Sequence, residues 1–245
     1  MFNNKIKFIS TKEVLEDTET NPIPIKLNIP KWFKELDSKT DTVKNCMPFL
    51  DTLTTGYGLK LPADLDINHN FMENNKQGSL MKCPFEGNPL WVGDKQLNLN
   101  SHQEADHPIW QLKGSPLINK NKNFSFLKII YPYKINTPKG YSCLFLPPCN
   151  NTDDRFEILP GIVDTDTYDA EINFPFIING DKYPKLDTVF EKGIVFAQVI
   201  PFKRESWKME LIKQKEMRND SFLYKWLTKI RHRYKNLIWN KKKFY

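Results

Sequence analysis

Apolar and polar residues alternate along several short stretches, a period of two that predicts strands with one buried face. "GYGLKLPADLDI" at 56–67 shows it, and "FSFLKIIYPYKI" (124–135), "YSCLFLPP" (141–148), "DAEINFPFII" (169–178) and "KGIVFAQVIPF" (192–202) add β-branched and aromatic runs cut by proline. The pattern predicts a mainly β region from 46 to 202. Between about 70 and 122 it lapses into Asn, Lys, Gly and Pro, as expected of a loop-rich insertion. Ahead of the β region, residues 1–45 read as an arm. It opens with a short strand, "KIKFI", and continues through an acidic stretch into "NPIPIKLNIPKWFKEL". Three prolines in nine residues there predict extended or polyproline-like chain. Pro30 then stands at the first position of a short helix over "PKWFKEL".

From 203 to 245 the pattern changes period. "KRESWKMELIKQKEMR" holds good helix formers and no breaker, so a helix is expected. Asp220 or Ser221 offers an N-cap for a second one. In that second helix Phe222, Trp226, Ile230 and Tyr234 recur at spacing four, with Leu223, Leu227, Leu237 and Ile238 beside them. The opposite face carries Lys225, Lys229, Arg231, Arg233 and Lys235, which makes the helix amphipathic.

Composition sharpens this picture. The 245 residues hold 17 Pro and 17 Phe against 10 Gly, which favours strands joined by irregular loops over a helical bundle. Hydrophobic residues make up 40% of the chain, enough for a core, and no apolar run is long enough to span a bilayer. The net charge of +7 is unevenly placed. Residues 201–245 carry fourteen Lys/Arg against four Asp/Glu, so basicity belongs to the tail and the body is slightly acidic. Three uses of the tail helix stay open: docking on the same chain or a neighbouring subunit, the commonest fate, nucleic acid met through phosphate attraction, and an anionic membrane surface. The four cysteines occur singly, as expected of reduced thiols in a cytoplasmic protein. His102, Glu104, Asp106 and His107 lie close together, but Pro108 breaks any helix beside them. A polar loop is expected there, and no metal site.

The segment "PGIVDTDTYDAEINFPF" (160–176) followed by "KGIVFAQVIPF" resembles two successive motifs of the trimeric dUTPase and dCTP deaminase superfamily, which has the β-clip fold. The first motif is matched by Gly161, Ile162, Val163 and Asp164, then Tyr168. The second is matched by Gly193, then Ala197 and Gln198. The resemblance implies roles for these residues. Asp164 would position the attacking water, Tyr168 would pack under the deoxyribose, Gln198 would contact phosphate, and Gly161 would form part of the base pocket. It also implies a homo-oligomer, with a trimer favoured.

Departures from the family pattern fall where phosphate chemistry needs residues. Thr167 is an extra residue before Tyr168. Pro148 is followed by Cys149 and Asn150 where the family has Arg and Ser. Gly58 replaces the Asp of an early family motif, and the Gly-rich C-terminal lid is absent. Losing a cationic fork removes charge stabilisation of the transition state. Asp164 also fits a plain turn cap, and Tyr168 and Gln198 also fit core or strand-pairing roles. The strings "IPKWFKEL", "KNCMPFLDTLTTGY", "TPKGYSCLF", "PGIVDTDTY" and "AQVIPFKRE" further resemble an uncharacterised family encoded by tailed phages of marine bacteria, which would place the protein in host cytoplasm or virion.

The expectation is a dUTPase-like β-clip domain with a Pro-rich arm and C-terminal helices, acting without catalysis or cofactor as a structural or interaction component. Two alternatives stay open. One is a divergent nucleotide-processing enzyme using Asp164 and Mg²⁺, with Lys203 and Arg204 replacing the missing Arg. The other is a nucleic-acid-binding protein working through its tail.

Overall fold

The computed structural model describes residues 4–39, 42–70, 90–92, 95–97, 109–120, 127–151, 153–213 and 233–245. Two antiparallel sheets form the body. The first contains β1 (Lys7–Ile9), β7 (Leu127–Asn136), β11 (Glu171–Ile178) and β9 (Phe156–Ile158), in that order. The second runs β10 (Gly161–Val163), β8 (Tyr141–Leu146), β13 (Val195–Lys203), β3 (Tyr57–Lys60) and β2 (Ile23–Pro24). Two smaller ladders join β4 (Leu65–Asn70) to β12 (Lys185–Phe190), and β5 (Leu90–Val92) to β6 (Lys95–Leu97).

The alternation seen in the sequence is what closes the core. In β7, Ile129, Tyr131, Tyr133 and Ile135 are all buried, and in β11 Ile172, Phe174 and Phe176 are buried while Asn173 faces out. The sheets meet through their aromatic rings. Phe174 of the first sheet lies 5.3 Å from Phe196 and 5.4 Å from Phe145 of the second, both edge-on. Prolines sit where the ladders tolerate them. Pro201 pairs only with β8, because the β3 ladder has already ended at Val199. Pro132 lies where the β7–β11 register shifts.

The first 45 residues are tied into this body. β1 pairs with β7 and β2 with β3, while Val14, Ile25 and Phe33 are buried. The expected short helix after Pro30 is present as α2 (Lys31–Glu35). Two elements depart from expectation. A short helix, α1 (Lys12–Glu16), occupies the acidic stretch, and a single 3-10 turn at Ile25–Asn28 fits between Pro24 and Pro30. Within the β region, "MPFLDTLT" forms helix α3 (Met47–Thr54), opened by Pro48 in its first turn and burying Met47 and Leu53. The insertion contributes a 3-10 turn (Ile109–Leu112) and α4 (Pro116–Lys120) beside the β5–β6 ladder. The acidic loop of His102 to His107 falls outside the described residues.

The helix expected to begin at Lys203 does not form over its described part. Lys203 ends β13, and residues 204–213 are neither helix nor strand. Trp207, Met209, Leu211 and Ile212 are between 78% and 87% exposed there. The reason is tertiary. Helix propensity alone stabilises so short a segment only marginally, and among the described residues none covers these apolar side chains. Residues 214–232 lie outside the described residues, which takes in the end of the first expected helix and most of the second, including Lys225, Lys229 and Arg231. Beyond them Tyr234–Ile238 make one wide π-type turn. Arg233 is half-buried and Lys235 exposed. Among the described residues no helix is long and apolar enough to cross a membrane.

Candidate functional site

Asp164 follows edge strand β10, whose register sets Val163 opposite Cys143 of β8. The chain turns at once: the Asp164 carbonyl accepts N–H bonds from Thr167 at 3.1 Å and Tyr168 at 2.9 Å. The turn is nailed to the core by Thr165, fully buried, whose hydroxyl meets that of Thr137 at 2.7 Å and Sγ of Cys143 at 3.3 Å. Burial pushes the Cys143 thiol up to about 11.

The Asp164 carboxylate is solvent-exposed but already engaged. Ser142 donates its hydroxyl to Oδ1 at 2.6 Å, and Arg204 Nη1 lies 3.1 Å from the same oxygen. Arg204 is chiefly committed next door, where its fork holds both oxygens of Asp166, Nη1 to Oδ1 at 2.8 Å. The Gly140 N–H adds a third bond to Asp166 at 2.8 Å. The Arg204 hydrogen bonds, then that of Gly140, hold the Asp166 carboxyl down at about 2. Arg204 is itself raised, chiefly by Asp166. The neighbouring cation, Lys203, pairs with Glu205 at 3.1 Å. Tyr168 is 42% exposed, and its hydroxyl reaches only the Glu171 carbonyl, at 3.4 Å. Gly161 stands in the open at the start of β10.

Gln198 is placed elsewhere. It pairs with Leu146, four residues along β8 from Ser142, so it lies about 13 Å away along that strand, with β8 between it and the Asp164 turn. Gln198 is fully buried and its amide is used up by backbone. Nε2 donates to the carbonyls of Thr52 at 3.0 Å and Thr55 at 2.7 Å, while Oε1 accepts the Cys149 N–H at 3.0 Å. It straps the end of α3 to the loop after β8. In that loop Asn150 adopts a positive φ of 58° and donates its amide to the Thr52 hydroxyl at 2.9 Å.

A cleft of about 980 Å³ opens beside this loop, lined in part by Pro148, Asn150, Gly193 and Phe196. Its three cations, Lys60, Arg155 and Lys192, all have partners. Arg155 forks onto Asp153 at 2.7 and 2.9 Å and lies over the Phe190 ring; Lys192 meets Asp17 at 2.7 Å; Lys60 donates to the Glu19 carbonyl at 2.9 Å. The carboxylates on its wall are Glu19, Asp153, Asp154, Glu157 and Glu191, so acid outnumbers base. A triphosphate entering it would meet a net negative wall. Asp164 and Tyr168 do not line this cleft, and neither does Gln198. Thus the structure brings Asp164, Tyr168 and Gly161 to one edge of the second sheet and sets Gln198 in the interior. Ser142 and Asp166, which set the state of the turn, carry no distinctive signal in the sequence. Among the described residues no group of His, Cys, Asp and Glu gathers as a metal site.

No family model matches the chain. No curated protein matches it either. Among solved structures, a mutant dUTPase of Staphylococcus bacteriophage 80alpha with dUpNHpp is similar at 11% identity and a TM-score of 0.36, over 89% of this chain and 92% of that one. A mutant dUTPase of S. aureus phage phi11 is similar at 13% identity and a TM-score of 0.27, over 38% of this chain and 76% of that one.

Proposed function

We propose that the chain is a dUTPase-like β-clip protein that works without catalysis, as a structural or interaction component that assembles with copies of itself. One observation carries the reading: the Asp164 carboxylate is held by Ser142 and sits beside an Arg204 fork whose main partner is Asp166. A general base must offer a free lone pair to its water, and a phosphate clamp must offer a free guanidinium. Here the guanidinium is taken by Asp166, and Oδ1 of Asp164 is taken by Ser142 and the edge of that same fork. The alternative use of Arg204 as a replacement phosphate ligand requires breaking its bonds to Asp166 first. The buried, fully engaged Gln198 amide and the acidic cleft support the same reading. Exposed apolar side chains at Ile162, Trp207, Met209 and Leu211 support assembly, because such groups mark surfaces that partners cover.

Equilibrium dialysis of the full chain against dUTP with Mg²⁺ tests this. Retention no better than a dissociation constant of about 1 mM is expected. Micromolar binding that is lost in Asp164→Asn would overturn the proposal.

A further inference from the structure

Residues 239–245, neither helix nor strand, lie against the body and meet side chains from three separate elements. The Trp239 indole donates to both carboxylate oxygens of Asp51 on α3, each at 3.1 Å. Lys242 Nζ pairs with the same carboxylate at 2.6 Å, leaving the Asp51 side chain 15% exposed. The Phe244 ring meets Tyr57 of β3 edge-on at 5.8 Å. Lys26, from the 3-10 turn after β2, donates to the Phe244 carbonyl at 2.7 Å and stands 4.6 Å from the centre of the Tyr245 ring.

The receiving surface is pre-formed by contacts that do not involve the tail. Gln198 straps α3 to β13, and the Ile25 N–H bonds the Gly56 carbonyl at 3.1 Å beneath the 3-10 turn. That frame places an acceptor on α3, a ring on β3 and a cation on the 3-10 turn, the elements of a short-peptide reader. What it reads is an indole N–H, an ammonium three residues later and an aromatic pair after that.

We propose that Lys26, Asp51 and Tyr57 form a docking site for an extended basic-aromatic peptide, and that the chain's own last seven residues occupy it as an exchangeable clasp. A tethered occupant competes at high effective concentration, so a free peptide gains access only when the tether's own contacts are weakened. This holds whether or not the chain processes nucleotides.

The test uses the full chain and a fluorescein-labelled peptide of residues 238–245, IWNKKKFY, followed by anisotropy. The chain carrying Trp239→Ala and Lys242→Ala should bind the peptide at least about tenfold more tightly than the unaltered chain. Adding Asp51→Asn should reverse that gain. Lys26→Ala, which spares α3, should weaken binding severalfold by a second route, with the melting curve confirming that each variant folds. Absence of binding to the weakened-tail chain would overturn the proposal. So would equal affinity for that chain and the unaltered one, or affinity indifferent to both Asp51→Asn and Lys26→Ala in folded protein.

Discussion

Arg204 holds its guanidinium against two carboxylates, and the stronger pairing goes to Asp166, a residue that the motif reading passes over. The Asp166 carboxyl is held at about 2, below the ordinary value near ~3.9, first by Arg204 and then by Gly140. A carboxylate with a depressed folded pKa contributes stability that is present above the unfolded value and fades as pH falls through the folded one. The turn should therefore loosen between about pH 4 and pH 2. Asp166→Asn should flatten that part of the stability profile, as read by thermal melts across the range. An identical acid profile in the variant would contradict the assignment. Gln198 makes a second residue-scale prediction. Gln198→Leu leaves the Cys149 N–H and the Thr52 and Thr55 carbonyls without their partner, at a cost of about 2 to 4 kcal/mol in urea unfolding. A loss under about 0.5 kcal/mol would mean that the strap is idle.

Strands were the legible elements. Alternation at 56–67 marks β3, and β-branched and aromatic runs mark β7, β8, β11 and β13, at or near their observed positions, because buried faces select such residues. Helices were less legible, for opposite reasons. In α3 the residues Met47 and Leu53 gain burial that a short window does not announce, whereas the described helix formers after Lys203 leave Trp207, Met209, Leu211 and Ile212 exposed. The candidate site was legible as a turn and not as chemistry. Spacing locates Gly161, Asp164 and Tyr168, but which neighbour holds the carboxylate depends on β8 bringing Ser142 alongside, a long-range fact. The joint between α3 and β3 carries its own prediction. Gly56 has a φ of +85°, and a Cβ there would lie 2.1 Å from the Val199 carbonyl oxygen. Gly56→Ala should destabilise the chain by at least about 2 kcal/mol, measured as a lowered urea midpoint. An unchanged midpoint would show that β3 and β13 separate easily there.

At the scale of the molecule, two antiparallel sheets share an aromatic core, and the N-terminal residues supply an outer strand to each. The features that would make this scaffold an enzyme are present in part and kept apart. The Asp164 turn lies on one sheet edge, Gln198 is interior, and the large cleft carries more acid than base. Trp207, Met209, Leu211 and Ile212 stand exposed after Arg204, and Trp239 lies against α3. The most direct measurement is pyrophosphate release from each of the four dNTPs and dUTP with Mg²⁺, comparing the unaltered full chain with Asp164→Asn. The account predicts release at the uncatalysed background from every nucleotide and no difference between the two proteins. Release above background that disappears in Asp164→Asn would contradict it.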